Sequence, residues 1–105
     1  MIHVLATISL HPGKREQWLE EFKQLRPLVQ AEAGCIEYDV AIDLPTGLAA
    51  QPPINENEAV VIEKWESLEA LKAHLSAKHM EHYREQVAML VAGVSLRVLS
   101  PVAAP

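Results

Sequence analysis

Polar and apolar residues alternate at the start of the chain and then give way to helical spacing, and this change of period recurs along the sequence. Ile2, Val4, Ala6, Ile8 and Leu10 fall on one face of residues 2–10, with His3, Leu5, Thr7 and Ser9 on the other. That pattern predicts a first strand partly covered on both sides. His11-Pro12-Gly13-Lys14 reads as a turn, because proline fixes φ and glycine enters conformations closed to other residues. Trp18, Phe22, Leu25 and Val29 then recur at intervals of four, three and four, which predicts an amphipathic helix to about Ala33. Pro27 should kink it by removing a backbone donor, and Gly34 is the expected C-terminal stop.

Alternation returns over residues 35–42, with Ile36, Tyr38, Val40 and Ile42 on one face and Cys35, Glu37, Asp39 and Ala41 on the other. From Leu44 to Asn57 the chain turns to Pro, Gly, Gln and Asn, the composition of a long loop. A third strand over residues 59–65 runs directly into a helix. Ser67 is its natural N-cap, and Leu68, Leu71 and Leu75 are expected on one face. Ser76 and Lys78 interrupt that pattern, after which Met80, Tyr83, Val87 and Leu90 suggest a further helix to about Ala92, ended by Gly93. Val94, Leu96 and Val98 alternate with Ser95, Arg97 and Leu99 in a fourth strand, followed by a Pro-Val-Ala-Ala-Pro tail.

The order is β-α-β-β-α-(α)-β, the split βαβ arrangement of ferredoxin-like domains. It predicts an α+β fold, a four-stranded antiparallel sheet with helices on one face. A lone sheet would leave its second face bare, and a symmetric dimer would cover it. The junction of the third strand and the next helix gathers Glu63, Trp65, His74 and His79, which marks it as the expected place for a pocket.

Bulk properties narrow the partners. At 105 residues the chain is one domain, residues 1–105. Its formal charge of -5, with nine Lys and Arg spread along the chain, argues against nucleic acid and an anionic membrane surface. A single cysteine allows no internal disulfide and no cysteine-based metal cluster, which fits a reducing cytoplasm. No basic leader precedes a long apolar core, and no apolar run approaches the roughly 18 residues of a membrane span, so the chain reads as soluble and unexported.

The stretches Glu32-Ala-Gly-Cys-Ile-Glu-Tyr38, Glu63-x-Trp65-x-Ser67-x-Glu69-Ala70-x-x-x-His74 and His79-Met80, with Ala6-x-x-x-x-x-Pro12-Gly13 near the start, resemble the antibiotic biosynthesis monooxygenase (ABM) family. The resemblance runs from about residue 2 to residue 101 and looks most like the bacterial quinol monooxygenase branch. It implies a homodimer of ferredoxin-like subunits of the dimeric α/β barrel type, with a pocket between sheet and helices. It further implies oxidation of a reduced quinone or other hydroxylated aromatic molecule by O2 without flavin, haem or metal. The haem-degrading branch places an asparagine in its first strand, and residues 2–10 contain none.

Such chemistry needs an apolar cavity and a base that removes a phenolic proton. His74, which matches the family's histidine, is the first candidate and His79 the second, since an imidazole titrates near neutral pH. The alternative for His74 is a structural histidine bonded to a backbone carbonyl; His79 and His82 could simply be surface residues. Trp65 could stack on the substrate or fill the core, and Tyr38 and Tyr83 could bond a quinol oxygen or serve as ordinary packing. Glu63 shares the face of Trp65 and, if buried, needs a partner such as His74 or Arg97. Asn55 and Asn57 could cover the pocket or cap turns. His79 and His82, with Glu81 or Glu85 nearby, form only a weak metal pattern, so no metal is expected. No Gly-x-Gly-x-x-Gly or P-loop pattern is present to hold a nucleotide. Other readings on the same scaffold are an isomerase or small-carbonyl enzyme using His74 and Glu63, and a non-catalytic dimeric protein that binds an aromatic ligand.

Overall fold

The alternation of residues 2–10 becomes strand β1 (Ile2–Leu10), in which Val4, Ala6, Ile8 and Leu10 are buried and Ser9 on the opposite face is exposed. In the computed structural model, which describes residues 1–103, β1 is followed by α1 (Arg15–Gln30), β2 (Cys35–Ala41), β3 (Glu58–Trp65), α2 (Leu68–Leu75), α3 (Lys78–Val87) and β4 (Val91–Leu99). The four strands pair antiparallel in the order β2-β3-β1-β4. This is the expected ferredoxin-like α+β arrangement. The last two residues of the proline-containing tail, Ala104 and Pro105, lie outside the described residues.

One face of the sheet carries the core. Val4, Ala6 and Ile8 stand opposite Glu63, Val61 and Ala59, and this surface packs against Trp18, Phe22, Leu25 and Val29 of α1, Leu71 of α2, and Met80 and Val87 of α3. Trp18 and Phe22 stack with ring centroids 5.5 Å apart, and Phe22 stacks on Tyr38 at 5.3 Å. The other face carries Leu5 opposite Ile62 and Thr7 opposite Val60, all half-buried. No helix among the described residues is long and apolar enough to cross a membrane.

Four details differ from what periodicity predicts. In β2 the register shifts between Cys35 and Glu37, so Cys35 stands opposite Trp65 and joins Tyr38 on the core face, while Ile36 is 51% exposed. A bulge of one residue is enough to invert the phase of the alternation before it. Helix α1 stops at Gln30 rather than Ala33, as the amides of Ala31 and Glu32 turn back to the carbonyls of Pro27 and Val29. The buried stripe of α2 is Leu71 and His74, with Leu68 and Leu75 on its flanks. Finally, α3 closes where the Leu90 amide bonds the Val87 carbonyl, and β4 begins at Val91, so Gly93 pairs with Ser9 inside a strand instead of ending a helix.

The long loop between β2 and β3 is anchored at its far end. Asn57 Oδ1 accepts from the Gly13 amide at 3.3 Å, and Asn55 Oδ1 accepts from the Asn57 amide at 2.9 Å. Both asparagines therefore cap turns.

Candidate functional site

The site grows from the passage of β3 into α2. Ser67 Oγ accepts from the Ala70 amide at 3.1 Å, which fixes where the helix starts and hence which residues its inner stripe presents. His74 lies on that stripe and is 2% exposed. Its ring packs against Trp65, at 4.6 Å between centroids, and edge-on against Tyr38 at 5.5 Å.

Its hydrogen-bond partner comes from the turn after α1. Glu32 Oε2 accepts from His74 Nδ1 at 2.8 Å and from His79 Nε2 at 2.7 Å. The turn is tied to the junction of β3 and α2, because the Glu66 amide donates to the Gly34 carbonyl at 2.8 Å. A carboxylate facing Nδ1 requires the proton on that nitrogen, so a neutral His74 keeps its lone pair on Nε2. Burial lowers the pKa of His74 below the ordinary histidine value, more than the Glu32 bond and charge raise it. At neutral pH the ring is therefore an uncharged base.

Glu63 is the other ionisable group in the interior. It is 5% exposed, and its Oε1 accepts from Trp65 Nε1 at 2.9 Å. Its partner is thus neither His74 nor Arg97; Arg97 stands opposite Leu5 on the far face of the sheet. Burial pushes the Glu63 carboxyl up to about 7, against the indole bond that pulls it down.

A cavity of about 410 Å³ opens between the sheet and the α2–α3 pair, within the range of roughly 300–1,000 Å³ common for small-molecule sites. All four strands contribute to its floor, through Tyr38, Val61 and Glu63, Ala6 and Ile8, and Val94 and Leu96. His74, Leu75, Met80, Tyr83, Arg84 and Val87 form its wall. Tyr83 OH accepts from Trp18 Nε1 at 2.8 Å. Burial pushes the Tyr83 phenol up to about 12 and raises Tyr38 as well, so both remain hydrogen-bond donors at neutral pH.

The structure thus brings His74, Glu63, Tyr38 and Tyr83 to one cavity. Trp65 is fully buried behind His74 and does not line it. His79 lies outside as well, in a groove of about 370 Å³ that it shares with Glu21, His82 and Tyr83. The residue that periodicity does not single out is Glu32. It opens one of the family-like stretches, but 42 residues separate it from His74, and an acid near a helix end ordinarily reads as solvated.

The cavity thus combines apolar walls with one neutral imidazole, one carboxyl of raised pKa and two phenols. A sequence profile of the antibiotic biosynthesis monooxygenase family matches residues 1–86. The chain is 36% identical over 103 residues to the probable quinol monooxygenase YgiN of Escherichia coli strain K12, covering 96% of this chain and 98% of that protein. Among solved structures it is similar to PA3566 of Pseudomonas aeruginosa, with a TM-score of 0.80 and 26% identity over 97% of this chain and 94% of the other. Rv0793 of Mycobacterium tuberculosis gives a TM-score of 0.77 and 27% identity over 98% and 96%. The protein belongs to the antibiotic biosynthesis monooxygenase family.

Proposed function

We propose that the protein oxidises a reduced quinone or another hydroxylated aromatic molecule with O2, and that it does so without flavin, haem or metal. The observation that carries this reading is His74 on the wall of the apolar cavity with its Nδ1 tied to Glu32. Nε2 takes the phenolic proton, and the electron-rich anion then reduces oxygen. A quinol that gains one ring oxygen and releases the other as water becomes a hydroxyquinone, so the substrate supplies every electron. The protein contributes the base, a dry cavity and orientation.

Tyr38 and Tyr83 are the donors available to the quinol oxygens, and Glu63 is a second proton-exchanging contact. Trp65 holds the His74 ring from behind, and His79 holds Glu32 through its second bond. The name of the E. coli relative supports a quinol as the substrate class. The half-buried Cys35 thiol is consistent with the reducing cytoplasm as its compartment. The apolar centre of the outer sheet face, Leu5, Val60 and Ile62, supports a homodimer joined through that face.

A second reading is favoured by one observation: Glu63, pushed up to about 7, shares the cavity with a neutral His74. Such a pair could move protons in an isomerisation that uses no oxygen.

Oxygen consumption by chelator-treated protein, offered a panel of chemically reduced quinones, separates the two. Uptake above autoxidation that His74→Ala abolishes is the expected result. Absence of uptake with every quinol would overturn the oxygenase reading.

A further inference from the structure

We propose that Glu32, His74 and His79 form a binding site for a first-row transition-metal dication such as zinc, and that the bound ion withdraws His74 from service as a base. The second half rests on the oxygenase reading of His74; the first does not. One carboxylate oxygen and two imidazole nitrogens, from the turn after α1, from α2 and from α3, all lie within 4.8 Å of one another. Mixed imidazole and carboxylate donors suit zinc, copper, nickel and iron, and zinc commonly takes three protein ligands with a fourth position left to solvent. Donors about 2.0–2.2 Å from a tetrahedral zinc stand roughly 3.3–3.6 Å apart. The present contacts to Glu32 Oε2 are 2.8 and 2.7 Å, so that oxygen has to withdraw by a fraction of an ångström. The ring of His74 is held by Trp65 and Tyr38, which leaves Glu32 and the more exposed His79 as the groups that adjust to bring the three donors to that spacing.

The ion has a way in. The side chains of Glu32 and His79 are 13% and 27% exposed, and His79 opens on the groove that also holds Glu21 and His82. Helical spacing points instead to His79 with His82, and so does not reveal these three donors, of which Glu32 is 42 and 47 residues from the two histidines. An ion on Nδ1 places the ring proton on Nε2, the nitrogen that Glu32 otherwise leaves with its lone pair. The imidazole can then donate into the cavity but cannot accept a proton there.

Chelator-treated protein titrated with Zn2+ by calorimetry, and with Co2+ by visible absorption, tests the site. The expected result is one ion per chain, bound at least about tenfold more weakly by Glu32→Gln and His79→Ala and equally well by His82→Ala, with circular dichroism confirming the fold of each variant. Affinity unchanged in Glu32→Gln and His79→Ala, or no saturable binding, would overturn the site. Nitrogen NMR of the His74 ring tests its consequence without relying on turnover: Zn2+ should shift Nδ1 and leave a proton on Nε2, and an unshifted Nδ1 would overturn it. Protein that binds zinc in this way yet takes up no oxygen when metal-free would refute the oxygenase reading alone.

Discussion

At the scale of single residues, Glu32 decides what His74 can do. Replacing it by Gln keeps the size of the side chain but offers an amide where a carboxylate accepted the Nδ1 proton. The amide can donate to Nδ1 as well as accept from it, so the tautomer that keeps the lone pair on Nε2 is no longer enforced. Glu32→Gln is therefore expected to lower kcat for quinol-dependent oxygen uptake by about 100-fold or more while changing KM little, a split that initial rates over a range of quinol concentrations would reveal. Glu63 predicts something different. Its folded-state pKa of about 7 lies above the ordinary 4.5, so the folded protein holds this proton more tightly than the unfolded chain. Stability from this group is fully present below about pH 4.5 and is lost as pH rises through 7, by up to about 3 kcal/mol. Glu63→Gln can still accept from the Trp65 indole and carries no such loss. The difference in Tm between the variant and the parent should move in the variant's favour between pH 5 and about pH 8; a difference independent of pH would refute the shift.

Among the elements, the join between α1, β2 and α2 sets the distance from Glu32 to His74. Gly34 adopts φ +84°, where a side chain is strained, and a Cβ there would meet the Ala70 Cβ at 2.6 Å. Gly34→Ala must therefore push α2 away from the turn. Denaturant titration should show a loss of about 1–3 kcal/mol, and oxygen uptake should fall with it, since the Glu32–His74 bond spans the same gap. This join also marks where reading the sequence succeeds and fails. Trp18, Phe22, Leu25 and Val29 announce the buried face of α1, because helical spacing is a local signal, whereas Gly34 reads as a helix stop although α1 already ends at Gln30. The phase of Cys35 is not legible locally, because the bulge at Ile36 is settled by pairing with β3. The start of β4 is hidden for the same reason: Gly93 resembles a helix terminator until Ser9 is known to lie beside it. Of the candidate site, His74 and Glu63 are legible at the junction of β3 and α2, and Tyr38 and Tyr83 as candidate donors to a substrate oxygen, whereas Trp65 and His79, read at the same junction, do not line the cavity. Glu32 is not legible, since no local period connects the end of α1 with α2 and α3.

For the molecule as a whole, the two faces of the sheet have different fates. The outer face carries Leu5, Val60 and Ile62 at its centre, with Lys64 paired to Glu37 at 3.5 Å towards the β2 edge. A homodimer joined there would sediment at twice 11.6 kDa at micromolar concentration, and Ile62→Glu, which buries an unpaired charge in that interface, should return it to the monomer. A single-chain mass for the parent protein would refute this arrangement.

On the inner face, Val94, Leu96 and Val98 of β4 point to the helix side yet are 60%, 42% and 47% exposed. An apolar molecule bound in the cavity would complete the hydrophobic core along that edge. Occupancy and folding then become linked equilibria, with stabilisation of about 2.7 kcal/mol at a ligand concentration 100 times Kd. Melting curves recorded without oxygen, with oxidised quinones that cannot turn over, would rank ligands by fit alone. The protein's own heat resistance would serve as the reporter of its natural guest.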